Sequence, residues 1–501
     1  MERITLRLLG LTLGLSSLEM ATAQNEVDAY RFGRTMAGGT ARSAGMANAY
    51  GALGADAGAL SINPAGMGLY RNTEISFTPA LEVNTVNSLY NGKEVSDAKA
   101  RFHFSNVALI LHTPAEKAGS PWRSGTFGVV YDRQATHHWG RQAVGDQVAT
   151  SILDDFAAQA EGTRNDELYD LFPFAAGLAW ETYGIDPLDP ADSLGTSYKP
   201  ALPPGGLVDQ VITIDSRGAT NNTAFFYSGN YLDKLYIGAS LGIVGYRYKH
   251  VRLHTETIAD EQVDLKDLNY REDLSITGNG VDLKAGVIYR FHDRFRMGLA
   301  VHSPMWMTMN DSYNTNMNTT FRTPSAVDGR TSYSSASPDG VFTYKLVSPM
   351  RAVLSAAYLA GEHGLFSVDY EYADYAAMRF RPSSRIDNSY TYTAENGIIQ
   401  QVFRPVHGVR VGTEWRSNGW YFRLGWAFTP DAYKPSDFAH AQATRTYAAG
   451  IGYRTDHLSV DLGGNLVQGY ANYHPYSPAF ANAIREERGT MRTLLTVALR
   501  P

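Results

Sequence analysis

The sequence predicts an all-β membrane protein, a 14-stranded antiparallel transmembrane β-barrel. Three observations carry that expectation. From about Leu235 onward the chain repeats an alternating segment, a tight turn, a second alternating segment and a long polar loop. The composition joins 31 Tyr, 7 Trp and 21 Phe to 47 Gly, which suits strands that set lipid-facing against lumen-facing residues. Beyond the N-terminus no apolar run approaches the roughly 18 residues that a membrane helix needs.

Taken in order, residues 1–23 read as a signal peptide: Arg3 and Arg7 precede an apolar core from Leu8 to about Leu18, and Ala21-Thr22-Ala23 offers a small-residue cleavage site. Residues 24–70 are rich in Gly, Ala and Met without period-two alternation, so they belong inside or beneath a barrel rather than in its wall. The barrel is expected over 71–501. Long loops are expected near 87–99, 135–219, 250–275, 306–345, 379–402, 430–444 and 469–488, all on one side, with the short turns on the other. Short periplasmic turns and long external loops are the rule for outer-membrane barrels.

The faces sort by chemistry. Phe295, Met297, Leu299 and Val301 alternate with Arg296, Gly298, Ala300 and His302, and Trp420, Phe422, Leu424 and Trp426 oppose Arg423. Tyr231, Tyr236, Tyr289, Phe291, Trp415, Trp420 and Tyr453 crowd the strand ends as an interfacial girdle would. The charges assigned to the lumen are Asp282, Lys284, Arg290, Arg296, Asp369, Glu371, Arg410, Glu414, Arg416, Arg423, Arg454 and Asp461, and mixed signs there predict ion pairs that knit wall to plug. Within the loop 135–219, residues 150–183 carry helical spacing, and Phe156, Leu171, Phe172, Phe174, Leu178 and Trp180 form either a self-packed core or an apolar capture surface.

Other chemistries find little support. A net charge of −6 argues against a nucleic-acid partner, and the absence of Cys removes disulfides, thiolate metal sites and thiol redox chemistry. Gly238-Ala239-Ser240-Leu241-Gly242 matches G-x-S-x-G, yet it lies mid-strand with no helix to follow, so Ser240 is not expected to be a nucleophile and no catalytic residue is assigned. His250 and His254 stand four apart where a strand runs into a loop, His137 and His138 are adjacent, and 186–193 is acidic without calcium-loop spacing. No metal and no cofactor are expected, and the chain shows no phosphate-binding loop.

The stretch "GGTARSAGMANAYGALGADAGALSINPAGMGLY", ending in Asn63-Pro64-Ala65-Gly66 and followed at once by the first strand, resembles the FadL/TodX-type outer-membrane transporters of hydrophobic compounds in their Bacteroidetes form; "RPVHGVRVGTEW" and "TYAAGIGYRTDHLSVDLGGN" resemble the later strands. The resemblance implies an N-terminal hatch over 24–70 with Asn63, Pro64, Ala65 and Gly66 as its motif. It implies a kinked third strand, for which Gly125 and Gly128 are the candidates, and lateral release of a fatty-acid-like hydrophobic molecule to outer-membrane lipid by a monomer, without nucleotide. The alternative within the same fold is a non-transporting barrel that scaffolds or shuttles other exported proteins.

Overall fold

The computed structural model describes residues 25–34, 38–117, 119–189, 191, 195–383, 390–440 and 442–501; the expected signal peptide lies outside them. Fourteen strands form the wall: β1 Glu74–Tyr90, β2 Lys93–Pro114, β3 Trp122–Thr136, β4 Val208–Tyr231, β5 Leu235–Thr257, β6 Leu265–His292, β7 Phe295–His302 with Trp306–Phe321, β8 Gly340–Val347 with Arg351–Ala360, β9 Gly364–Asp374, β10 Pro405–Ser417, β11 Trp420–Thr429, β12 Thr444–Arg454, β13 Leu458–Tyr473 and β14 Ile484–Leu499. Each pairs antiparallel with the next, and β1 pairs with β14 from Ile75↔Leu499 to Leu89↔Arg485, so the barrel closes.

The strands are longer than a bilayer requires. β4 has 24 residues and β6 has 28, whereas about 9–11 cross a membrane. The surplus stands on the long-loop side, where the alternation keeps its period and reverses its chemistry. Low on β5, Ile237, Leu241 and Ile243 face outward and Ser240 is buried; higher up, Tyr246 and Tyr248 are buried and Arg247 and Lys249 face outward. β4 behaves alike: Phe225 and Tyr227 are exposed below, while Ile212 and Ile214 are buried above. The lower band is therefore dressed for lipid and the upper extension for water outside and an apolar core within.

This reversal corrects three loop expectations. Residues 87–99 are not a loop: Asn91 (φ 46°) and Gly92 (φ 82°) make a two-residue hairpin turn between β1 and β2. The break expected over 250–275 shrinks to 258–264, and much of 306–345 is strand. β7 and β8 each carry a Ser-Pro-Met interruption, 303–305 and 348–350, side by side in the wall. Proline offers no N–H to the ladder, and the two serine hydroxyls take up the slack, Ser303 Oγ accepting from Leu283 N (2.9 Å) and Ser348 Oγ from Met305 N (2.8 Å). Of the expected girdle, Tyr289, Phe291, Trp415, Trp420 and Tyr453 are exposed, but Tyr236 is buried and faces the lumen.

Three helices, Ile152–Ala160, Leu168–Leu171 and Ala176–Glu181 in chain order, sit over the upper end of the barrel and share one apolar core with Ile212, Leu268, Tyr270, Met317 and Ile484 of the extended strands. The helix Glu26–Gly33 stands inside the upper barrel beside the helix Thr393–Val402. Among the described residues no helix is long and apolar enough to cross a membrane.

Candidate functional site

The lumen is plugged by the chain's own N-terminal segment. Residues 38–70 are almost wholly buried and fold as three single-turn pieces, Ala41–Ala44, Ala57–Ser61 and Pro64–Leu69, each begun by a polar cap. Thr40 caps the first, Asp56 the second and Asn63 the third, where Pro64 takes the first helical position that needs no N–H. Asp56 Oδ1 also accepts from Thr40 Oγ1 (2.7 Å), which ties the first piece to the second.

Asn63 is the busiest of these residues. Its Oδ1 accepts from Ala65 N (3.1 Å), and its Nδ2 donates to Gly51 O (2.7 Å) and to Val287 O of the wall (3.3 Å). The wall makes room with glycine: a Cβ at Gly286 would stand 2.0 Å from Asn63 Oδ1. Ala65 and Gly66 are fully enclosed, and Gly66 O accepts from Ala55 N (3.1 Å). The four motif residues thus join the last turn of the plug to its own earlier turns and to β6.

Charged wall residues grip the plug around its circumference. Glu414 accepts from Arg42 Nη2 (2.8 Å) and Nε (2.9 Å) and from Arg423 Nε (2.5 Å), and Arg423 reaches Asp461 (2.7 Å). Asp369 accepts the backbone N–H groups of Tyr50 (2.9 Å) and Gly51 (3.0 Å). His302 Nε2 meets Ile62 O at 2.8 Å, and Ala41 N donates to Thr496 Oγ1 (2.7 Å). Glu371 holds Arg351 (3.2 Å) and Arg410, and Asp282 holds Lys284 (3.1 Å). Of the remaining charges assigned to the lumen, Arg416 is exposed at the turn end, where it donates to Glu362 O.

The side wall has a seam. The β2–β3 ladder runs from Pro114↔Ser124 to Asn106↔Asp132 and stops. Beyond it β3 pairs only with β4, and after His137-His138 the chain continues as Trp139–Val148, still paired with β4 but lying on the lumen side of β1 and β2. There Asn84 Nδ2 donates to His138 O (2.9 Å), and Gly140 lies against Asp97 and Lys99. The edge of β2 from Lys93 to Ser105 therefore has no partner in β3. Gly125 and Gly128 are not where the strand departs: both sit inside continuous pairing with β2 and β4. Gly128 serves close approach instead, since a Cβ there would stand 2.0 Å from Leu109 O.

Behind the seam lies a cavity of about 20 Å³, lined by Gly38, Glu82, His103, Ser105, Arg133 and Arg492 among others. That is room for one water. Glu82 closes it by binding Thr136 of β3, Arg492 of β14 (2.6 Å) and Asn84 (2.9 Å). Glu82, Thr136, Arg492 and Arg42 were not among the residues singled out from sequence. Glu82 was findable as the charged member of the inward-facing set Ser76, Thr78, Ala80, Glu82 and Asn84.

The upper lumen is apolar. Phe32 packs edge-on against Tyr246, Tyr248 and His137 at 5.9–6.0 Å, among Met305, Met307, Met309 and Met378. Of the six residues offered as a capture surface, Phe156, Phe172 and Leu178 are buried in the cap core and Phe174 and Trp180 are half-buried; Leu171 alone is exposed. The cap hangs on Glu256, which accepts from Ser151 Oγ, Ile152 N (2.9 Å) and Gln210 Nε2 (2.9 Å) and lies 2.9 Å from His254 Nε2. His250 instead bonds Ser216 and Tyr248, so the two histidines do not converge. Outside the membrane band, burial beside Arg141, Arg31 and Arg252 pulls the His250 imidazole down to about 3. Two guanidinium groups, Arg141 and Arg488, outweigh burial and hold the Glu486 carboxyl below its usual range. Among the described residues no group of three or more His, Asp or Glu is arranged to hold a metal ion.

A barrel of 14 strands closed by β1 on β14 is a specific architecture, and solved structures are similar to it over most of the chain. The chain aligns with a Pseudomonas aeruginosa FadL homologue over 93% of its own length and 98% of the other's, at 12% identity and a TM-score of 0.54. It aligns with the P. putida toluene transporter TodX over 93% and 99%, at 10% identity and a TM-score of 0.53. The fold is that of the FadL/TodX-type barrels. The Ralstonia pickettii toluene transporter TbuX is similar as well, over 93% and 99% at 13% identity and a TM-score of 0.50. No protein-family model and no curated protein matches the sequence. Two of these neighbours are named toluene transporters. In keeping with that fold, Ser240 sits within the β5 ladder, paired with Phe226 and Lys284, where no strand-to-helix turn presents it.

Proposed function

We propose that the chain transports hydrophobic compounds across the outer membrane, fatty-acid-like molecules among them, and releases them sideways through the seam between β2 and β3. The observation that carries this reading is the β2 edge from Lys93 to Ser105, which has no partner in β3 and has the plug behind its Ser105 end. A closed ladder would oblige cargo to leave along the barrel axis, past the ion-paired plug; an open edge offers an exit into lipid. The solved neighbours named as toluene transporters support a hydrophobic cargo.

In this mechanism residues 24–70 are a hatch, Asn63 to Gly66 its anchor, and the barrel acts as a monomer. Cargo enters past the cap and displaces the helix Glu26–Gly33, whose Phe32 fills the apolar upper chamber. Binding draws on area burial, about 25 cal/mol per Å² of apolar surface. Loosening of the Glu82 contacts to Thr136 and Arg492 then widens the space behind the seam. No nucleotide is consumed, because each step runs downhill from water to apolar surroundings.

The native chain has no Cys, so paired cysteines test the exit cleanly. A Ser105→Cys, Arg133→Cys variant joined by a short reducible thiol crosslinker should lose uptake of a labelled fatty acid and regain it on reduction. Unchanged uptake in the crosslinked barrel refutes lateral exit at this seam. One observation favours the alternative of a non-transporting scaffold or shuttle: helix, cap and plug fill the barrel from its upper end down to the last turns of the plug. Absence of uptake for fatty acids and aromatic hydrocarbons alike, together with a stoichiometric protein partner on purification, would establish that reading instead.

A further inference from the structure

The turn end of the lumen holds a cavity of about 330 Å³, set between the last turns of the plug and the starts of β3, β5 and β7. Its walls include Arg71, Arg123, Arg290 and Arg296, with Asp233 as the one carboxylate. Asp233 is engaged elsewhere: Asn230 Nδ2 donates to it at 2.8 Å, and Arg123 stands 3.9 Å away. Arg290 pairs with Asp293 in the neighbouring turn. Arg71 and Arg296 form no ion pair among the described residues, and Arg296 Nε is buried without an acceptor. Deeper in the lumen the pattern differs, since Arg42, Arg351, Arg410 and Arg423 each face a carboxylate.

A buried guanidinium N–H without an acceptor is costly, and like charges collected around one cavity add to that cost. Arg71 and Arg290 both act electrostatically on Arg296. An oxyanion in the cavity would supply the missing acceptor and neutralise the excess; the planar fork of Arg is built to bind carboxylate or phosphate with two parallel hydrogen bonds. We infer that this cavity, at the periplasmic mouth of the barrel, is a binding site for a carboxylate or phosphate group, with Arg296 and Arg71 as its principal donors. The group is either the head of an amphiphile or a free anion, and the site stands whether or not the barrel transports.

The test is calorimetric titration of the full chain in a non-ionic detergent with inorganic phosphate, butyrate, octanoate and octanol. Binding of phosphate, butyrate and octanoate is expected, with none of octanol at this site. The Arg71→Gln, Arg296→Gln double variant should weaken anion binding about tenfold or more, and Arg296→Lys should keep part of it. Arg71 is exposed and forms no ion pair among the described residues, so Arg71→Gln alone provides a well-folded control with a smaller loss. Octanoate binding well above butyrate identifies an amphiphile head; equal binding of the two, with phosphate, identifies a free anion. Failure of all three anions to bind, or binding that the double variant leaves unchanged, overturns the inference. Uptake measured in parallel separates this failure from that of the transport reading: anions that fail to bind while labelled fatty acid still enters sink the site and leave transport standing.

Discussion

The lower and upper halves of this barrel solve the same problem, a filled interior, with opposite chemistry. Below, the wall holds a backbone-rich plug by buried ion pairs and hydrogen bonds, with Glu414, Asp369 and His302 reaching different parts of it, beside an apolar cluster that joins Leu53, Ile62 and Met67 to Ile110, Val130 and Phe226. Above, aromatic and aliphatic side chains from extended strands close over three short helices. The difference follows from what lies outside. Lipid leaves the inward face as the only place for polar residues; water above the membrane reverses the requirement. It also separates two kinds of motion. The plug's directional polar contacts can be removed one at a time, whereas an apolar cap yields only when many contacts go together.

The sharpest way to break that contrast is to remove one buried charge. Glu414→Ala leaves Arg42 and Arg423 without their shared carboxylate, and breaking a buried pair this way costs about 3–5 kcal/mol. Hydrogen exchange should rise across residues 38–70 while 150–181 keeps its protection. Equal loosening of both segments would show that the halves form one cooperative unit.

The mirror-image change is Leu178→Ala in the cap, where a fully buried leucine is cut back. A loss of about 2–5 kcal/mol is expected, confined to exchange in 150–181 and the upper parts of β4 to β6. Next in size comes Asn63→Ala, which removes a cap and the tie to Val287. It should cost roughly 0.5–2 kcal/mol and free the segment 64–70 to proteolysis, without disturbing the cap.

The last effect is one of pH. His250 is held neutral, its folded value about 3 against about 6.5 in the unfolded chain. Between these values the unfolded state binds the proton and the folded state does not, so stability falls as pH drops from about 6.5 toward 3. Glu486, with a depressed carboxyl, adds a second loss only below the usual Glu value of about 4.3. Between pH 6.5 and 4.5 exchange in 208–216 and 246–252 should therefore rise in the native protein and stay flat in His250→Gln. A matching rise in the variant would assign the effect elsewhere.

Much of this was legible along the chain. Period-two alternation placed 14 strands, because a wall between lipid and lumen imposes that period on every segment. The upper extensions were harder to find. At Arg247 and Lys249 the outward face turns charged while Tyr246 and Tyr248 go inward, and a reader expecting apolar residues outside takes this for the start of a loop. The hairpin at Asn91-Gly92 carried its own turn signal, masked by the polar residues on both sides. The end of the β2–β3 ladder left no mark at Gly125 or Gly128, because departure of β3 from β2 is decided by which edge each residue finds beyond Asp132. The capture-surface question turned on burial alone: spacing identified Phe156, Phe172 and Leu178 as one apolar set, and only packing against β4 and β6 made that set a core.

By itself, then, the sequence determined the barrel, its strand number, and the small-residue segment ending in Asn63-Pro64-Ala65-Gly66 that has no place in a wall. These are properties of local pattern, enforced residue by residue through lipid on one side and the lumen on the other. Tertiary structure alone decided which arginine meets which carboxylate, where the β2–β3 ladder ends, and which guanidinium groups at the turn end form no ion pair among the described residues. Each of these joins residues far apart in the chain, Arg42 with Glu414 or Arg71 with Arg296. No local pattern encodes such distances, and closing the barrel sets them.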